Sequence, residues 1–208
     1  FSVSTNANFE ETWTLKTINR SYDQVNDDIL TIDQSGFDRF LTYNFGASVG
    51  ATLYGMYNFE KEGKNPKIQA IRHVMRPSIS YSVSPAFNQY YETYEVIDAD
   101  NNTRDQIEYT RFENSLFGSP GNRYSSSIGL SVGNNIEAKI RSKDSTSTEP
   151  DKVFLLNNLN FSSSYNLAAD SLNWSPVRVT GGTQILDKKM SINFGMTLNP
   201  YALDSNNN

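Results

Sequence analysis

The chain has 208 residues, no cysteine, 37% hydrophobic residues, a mean hydropathy of -0.55, and 18 Lys and Arg against 23 Asp and Glu. The net charge of -5 argues against a nucleic-acid partner, because phosphate binding needs clustered cations. The missing cysteines exclude disulfides and thiolate metal sites within this sequence.

No apolar run approaches the roughly 18 residues of a membrane helix. A barrel strand gives only alternate residues to lipid, so a polar average leaves a transmembrane barrel open. Phe1, Val3, Ala7, Phe9, Trp13 and Leu15 share one parity and predict a strand over 1–15, with Glu11 interrupting its apolar face. Lys16 to Gly36 is polar and carries a Ser35-Gly36 turn signal, so a long loop is expected there. Phe37, Leu41, Tyr43, Phe45, Ala47, Val49, Ala51, Leu53, Tyr57 and Phe59 then keep odd parity throughout. A two-residue hairpin would exchange parity, so one continuous strand is predicted. At about 3.3 Å per residue it reaches roughly 75 Å, beyond an apolar band of about 25 Å, and part of it must project from the membrane.

Glu60 to Pro66 reads as a short turn, and a strand follows over 67–83, in which Ile79, Tyr81 and Val83 alternate with Ser78, Ser80 and Ser82. Pro77 removes a ladder donor there and predicts a bulge or bend. Ser84 to Asn122 is the longest irregular stretch. The fourth strand, Tyr124 to Ile140, is the clearest of all: Ile128, Leu130, Val132, Ile136, Ala138 and Ile140 share one face. Its other face carries Ser, Gly, Asn135, Glu137 and Lys139, with Arg141 just beyond. Its length is about three times that of a soluble strand. One dry face and one wet face at that length point to a barrel with a water-filled lumen. A polar turn at 143–152 precedes a fifth strand marked by Val153, Leu155, Leu159, Phe161, Tyr165 and Leu167. A short turn at 168–173, a sixth strand over 174–186, a tight turn at Asp187-Lys188-Lys189 and a seventh strand over Met190 to Leu198 complete the pattern.

The expected fold is therefore all-β: an antiparallel transmembrane β-barrel segment, about seven strands of a larger outer-membrane barrel. The connections alternate long and short as outer-membrane barrels do, which assigns 16–36 and 84–122 to the extracellular side; the connection at 168–173 is shorter than that rule expects. An odd strand count, the absence of a starting Met or signal peptide before Phe1 and the polar tail Asp204 to Asn208 lead to the expectation of a segment from a longer chain.

Ile71-Arg72-His73-Val74-Met75-Arg76-Pro77-Ser78-Ile79-Ser80-Tyr81, preceded by Thr52-Leu53-Tyr54-Gly55, resembles the barrel of the LptD family of outer-membrane lipopolysaccharide-assembly proteins. So do Ser131 to Lys139, Asn166 to Pro176 and the closing Asn199-Pro200-Tyr201-Ala202-Leu203-Asp204, and the similarity runs in order over most of 37–204. The resemblance implies residence in the bacterial outer membrane and lipopolysaccharide as cargo. Its implied partners are a lipoprotein plug of the LptE type, membrane lipids, and a periplasmic bridge protein met through a jellyroll domain that this segment lacks. It implies no enzymatic step and no cofactor. The closing strands and the cysteines of some members are absent as well.

Glu137, Lys139, Arg141 and Asn135 are the lumen-facing candidates for glycolipid contact; pairing with neighbouring strands is the simpler alternative. Ile128, Leu130, Val132, Ile136 and Ile140 are the lipid-facing candidates. His73 is the only histidine, so no His-based metal cluster or triad can be built from this sequence. Asp98-Ala99-Asp100-Asn101-Asn102 opens like a calcium loop but has Thr103 and Tyr109 where the glycine and bidentate glutamate belong, so a solvated turn is expected. Gly46 and Gly50 have GxxxG spacing, which works only on a helix. No phosphate-cradling loop is present. Two other readings stay open: a porin or nutrient transporter, or a soluble β-sandwich adhesin.

Overall fold

The computed structural model describes residues 1–59, 66–98, 103–142, 150–185 and 189–201. Its strands are β1 (Ser2–Asp23), β2 (Asp28–Gly50), β3 (Leu53–Asn58), β4 (Ile68–Ser84), β5 (Tyr91–Asp98), β6 (Thr103–Thr110), β7 (Ser125–Ile140), β8 (Asp151–Asn166), β9 (Val177–Ile185) and β10 (Met190–Leu198). One sheet runs in the order β1-β2-β4-β7-β8-β9-β10 with β3 beside β4, and β5 and β6 form a separate hairpin. The fold is all-β and antiparallel, and the large sheet is not closed on itself. Among the described residues no helix is long and apolar enough to cross a membrane. The expected turns at 60–66, 143–152 and 187–189, the cation-loop pattern at 98–102 and the tail at 204–208 lie wholly or largely outside the described residues.

Two compact units divide the chain: Phe1–Thr5, Gly46–Ser82 and Ser126–Asn208 form the first, Asn6–Phe45 and Val83–Ser125 the second. In the first unit the ladders hold the strands in strict register. β3 lies on β4 from Leu53 opposite Met75 to Asn58 opposite Ala70. Ala51 donates its N–H to the Pro77 carbonyl at 3.0 Å, and Pro77 has no N–H with which to return the bond. The proline thus leaves β4 unbroken and interrupts its neighbour instead, at Ala51-Thr52, rather than bending its own strand as expected. Ala51 opposite Pro77 has the same register sum as every β3–β4 pair, so β3 keeps the phase of Ala51 across the gap.

Opposite β7, strand β8 carries two extra residues: Asn134 faces Leu159, Ile136 faces Leu156 and Glu137 faces Phe154. Each bulge flips the parity of β8. Leu156 rather than Leu155 therefore shares the face of Ile136, a correction to the simple alternation. At the far side of the sheet Phe194 stands directly across from Gly181, and a Cβ on that glycine would lie 2.2 Å from the Phe194 ring. The ring replaces the side chain that glycine lacks.

The second unit departs most from expectation. The predicted loop at 16–36 is instead the end of β1 and the start of β2, joined by a turn at 24–27. Asp23 organises that turn, accepting the Val25 N–H at 2.9 Å and the Asn26 side-chain amide at 2.7 Å, while Asp27 takes φ 52. Lys16 pairs with Asp33 at 2.7 Å within the extended hairpin. The stretch 84–122 is also structured: a 3-10 turn at Asn88–Tyr90, then the β5–β6 hairpin from Tyr91 opposite Thr110.

That excursion packs on β1 and β2. Ile18, Tyr94 and Tyr109 form a buried cluster with Tyr22 and Val96 beside it. Phe112, fully buried, lies 4.8 Å from Phe40 and 5.8 Å from Tyr90 between ring centroids. Arg111 holds Asp38 at 2.7 Å and covers the Phe112 ring at 4.6 Å; Arg20 pairs with Glu113 at 2.8 Å. The Ile18 N–H donates to the Arg111 carbonyl at 3.0 Å, tying β1 to the excursion through the backbone. On β2, Asp38 and Phe40 have the parity of Asn44, which bonds Asn8 at 2.9 Å, whereas odd-numbered Phe37 and Leu41 stay exposed.

Candidate functional site

The first unit is a two-faced wall. Side chains directly across a ladder share a face, so register assigns every residue to one side. The apolar side collects Ile128 across from Tyr165, Leu130 across from Ser163, Val132 across from Phe161 and Ile136 across from Leu156. It continues through Leu159 and Phe161 onto Gly181 and Val179, then onto Phe194 and Met196. Much of this face is open: Ile79 is 48% accessible, Phe194 47% and Met196 52%, while Ile128, Val132 and Ile136 are half-buried and Val179 is buried. Ile140 stands across from Asp151 and so occupies the rim of this face. Aromatic groups mark both ends. Tyr165 and Trp174 pack edge to face at 5.1 Å, and Ser126 donates to the Tyr81 hydroxyl at 3.1 Å; Tyr57 and Phe59 pair at 5.8 Å beyond the other end.

His73 sits on this apolar side, opposite Gly55. The side-chain amide of Asn134 donates to the Leu159 carbonyl at 3.1 Å, so its Oδ1 is left to accept from His73 Nε2 at 2.9 Å. The pair satisfies two polar groups where the β7–β8 ladder slips, which is a structural role.

The polar side is a set of cross-strand hydroxyl and charge contacts. Ser4 and Ser48 meet at 2.7 Å, Ser78 and Ser131 at 2.7 Å, and Ser82 and Ser127 at 2.9 Å. Farther along the same face Arg72 pairs with Glu137 at 2.5 Å, and Glu137 keeps only 15% of its side chain exposed. Lys139 stands directly across from Lys152, both exposed. Met56, Arg72, Glu137, Ala138, Lys139 and Lys152 line one hollow of about 190 Å³.

Three of the four sequence candidates gather at this end of β7. Glu137 and Lys139 enter the hollow directly, whereas Arg141 follows the strand and donates its backbone N–H to Lys67 at 2.9 Å. Asn135 donates to the Asn157 carbonyl at 2.8 Å and closes the bulge. Parity reasoning did not single out Arg72, Met56 and Lys152. Arg72 and Arg76 share the even phase of Ser78, Ser80 and Ser82, which is the signal that points to them; Lys152 lay in what read as a turn. Among the described residues no cluster of three or more His, Asp or Glu is placed to hold a metal.

The family model described as LptD protein matches residues 1–201. No curated protein and no solved structure matches the chain. The match covers nearly the whole sequence and agrees with an open, antiparallel sheet of long strands with one apolar and one polar face: the chain belongs to the LptD family of outer-membrane β-barrel proteins.

Proposed function

We propose that this chain is a stretch of conduit wall in an outer-membrane translocon that carries lipopolysaccharide to the outer leaflet. The observation that carries the reading is the spacing of the aromatic ends of the apolar face. Tyr81 and Ile71 lie ten residues apart on β4, and Ile71 faces Tyr57. Ten residues span roughly 33 Å along a strand. A tilt near 40° brings that to about 25 Å along the membrane normal, the height of a barrel's apolar band.

On this reading Ile128, Leu130, Val132 and Ile136 meet acyl chains, and the opposite face borders water. Glu137, Lys139 and Arg141 then belong to the lumen at the periplasmic end, where they meet the sugar and phosphate groups of the cargo. The extended β1–β2 hairpin and the 84–122 excursion are extracellular, and the excursion lies against the face of β2 that carries Asp38 and Phe40. A lipoprotein plug of the LptE type and a periplasmic bridge protein are the proposed partners. The chain performs no bond chemistry; it provides a path.

Depletion of the parent protein tests this. Surface lipopolysaccharide should fall while other outer-membrane barrels still assemble, and an unchanged surface glycolipid with altered small-solute uptake would point to a porin or nutrient transporter instead.

A further inference from the structure

We infer that the hollow bounded by Met56, Arg72, Glu137, Lys139 and Lys152 is an anion subsite that takes a phosphate group. The inference rests on the lumenal reading of this face and adds to it a defined position and a ligand chemistry.

Register supplies the argument. Lys139 and Lys152 are Cα partners across β7 and β8, so their side chains leave the sheet on one face. Directly opposed like charges are destabilising in a sheet, typically by some tenths of a kcal/mol. The neighbouring carboxylate does not relieve them: Glu137 is engaged by Arg72 at 2.5 Å. Among the described residues neither lysine makes an ion pair. Among the described residues three cations and one carboxylate therefore share the hollow, an excess of two positive charges suited to a phosphate dianion. Met56, the Cα partner of Arg72, supplies apolar lining on the same face, which lowers the local dielectric and strengthens the attraction. At about 190 Å³ the hollow falls below the 300–1,000 Å³ of ordinary small-molecule pockets, a size that suits a single anionic group.

The test uses the full-length parent protein in detergent, with titration of outer-leaflet glycolipid in its phosphorylated and dephosphorylated forms. The phosphorylated form should bind about tenfold tighter or more, as charge-assisted hydrogen bonds imply. Lys139→Gln with Lys152→Gln should erase that preference, and Lys139→Arg with Lys152→Arg should keep it. A preference intact in the double glutamine variant overturns the subsite. Inorganic phosphate that displaces the glycolipid supports a site for the free anion; lysine-dependent preference without such displacement supports a phosphate presented on a lipid headgroup. Heat-modifiable gel mobility verifies that each variant is folded. Ser131→Cys separates the two levels of the reading. If a membrane-impermeant maleimide fails to label it, the lumenal face is wrong; if it labels and the glutamine variant is silent, only the phosphate subsite falls.

Discussion

The two units share strands but differ in charge and in where their apolar side chains go. The first, with twelve Lys and Arg against nine Asp and Glu, carries a net charge of +3; the second, with six against fourteen, carries -8. The first leaves Ile79, Leu130, Phe194 and Met196 exposed and is held by backbone ladders. The second buries Phe112, Ile18 and Phe40 beneath an excursion fastened by ion pairs. Exposed apolar residues along a whole face are stable only where lipid meets them, whereas a buried aromatic cluster is what water drives a chain to make. β2 contributes to both units: its even-numbered Asp38 and Phe40 lie under the excursion, while its odd-numbered Phe37, Leu41 and Phe45 stay exposed.

Removing the largest fully buried side chain should give the greatest effect and confine it to the second unit. Phe112→Ala is expected to cost about 3–5 kcal/mol of local stability through the lost burial and the cavity left against Phe40 and Tyr90. Limited proteolysis of the folded parent protein should then cut within 84–122, while gel mobility of the barrel is unchanged. Loss of barrel mobility in this variant would show that the two regions do not fail separately.

The converse substitution belongs in the first unit. Leu130→Arg places a charge on the apolar face between the aromatic ends, at a cost of about 2–4 kcal/mol if it meets the middle of the bilayer. Assembly should drop sharply, whereas Ser131→Arg, one residue along and beside Ser78, should assemble normally. Equal tolerance of both would contradict the assignment of faces.

The same difference between the units explains how much was legible. β7 could be read from sequence because one face is apolar and the other polar, and alternation records that contrast residue by residue. The continuation of β1 and β2 past Leu15 could not. Lys16 and Asp33 pair in water, and Arg20 and Asp38 find partners in a distant excursion, so a real strand carries the composition of a loop. The β5–β6 hairpin was hidden for a related reason: Tyr94 and Tyr109 are buried together with Ile18 of β1, far away in sequence. At the site, parity found Glu137 and Lys139, but their neighbours depend on cross-strand register, which two bulges in β8 help to set. Arg72 and Lys152 become part of the picture only when the strands are laid side by side.

The smallest expected effect concerns the clamp between Asp38 and Arg111, which lies in the second unit and outside the apolar band. Partial burial by itself would raise the Asp38 carboxyl, but the Arg111 hydrogen bond, the Arg39 backbone N–H and the Arg111 charge outweigh it and hold the group below its ordinary value of 3.8. A carboxyl depressed in the folded state adds stability that is present above the unfolded value and is lost as pH falls through the folded one. The clamp should thus be intact from neutral pH down to about 4 and release below that. Both partners remain about a third exposed or somewhat less, at 27% and 32%, so solvent screening limits the contribution to about 0.5–1 kcal/mol. Asp38→Asn preserves the shape and an acceptor for the Arg39 N–H, removing chiefly the charge. Hydrogen exchange at 110–113, corrected for the intrinsic pH dependence, should show the variant modestly less protected at neutral pH and converging on wild type as acid protonates Asp38 in the folded protein. A difference between the two that persists undiminished into acid would mean that shape rather than charge holds the excursion on β2.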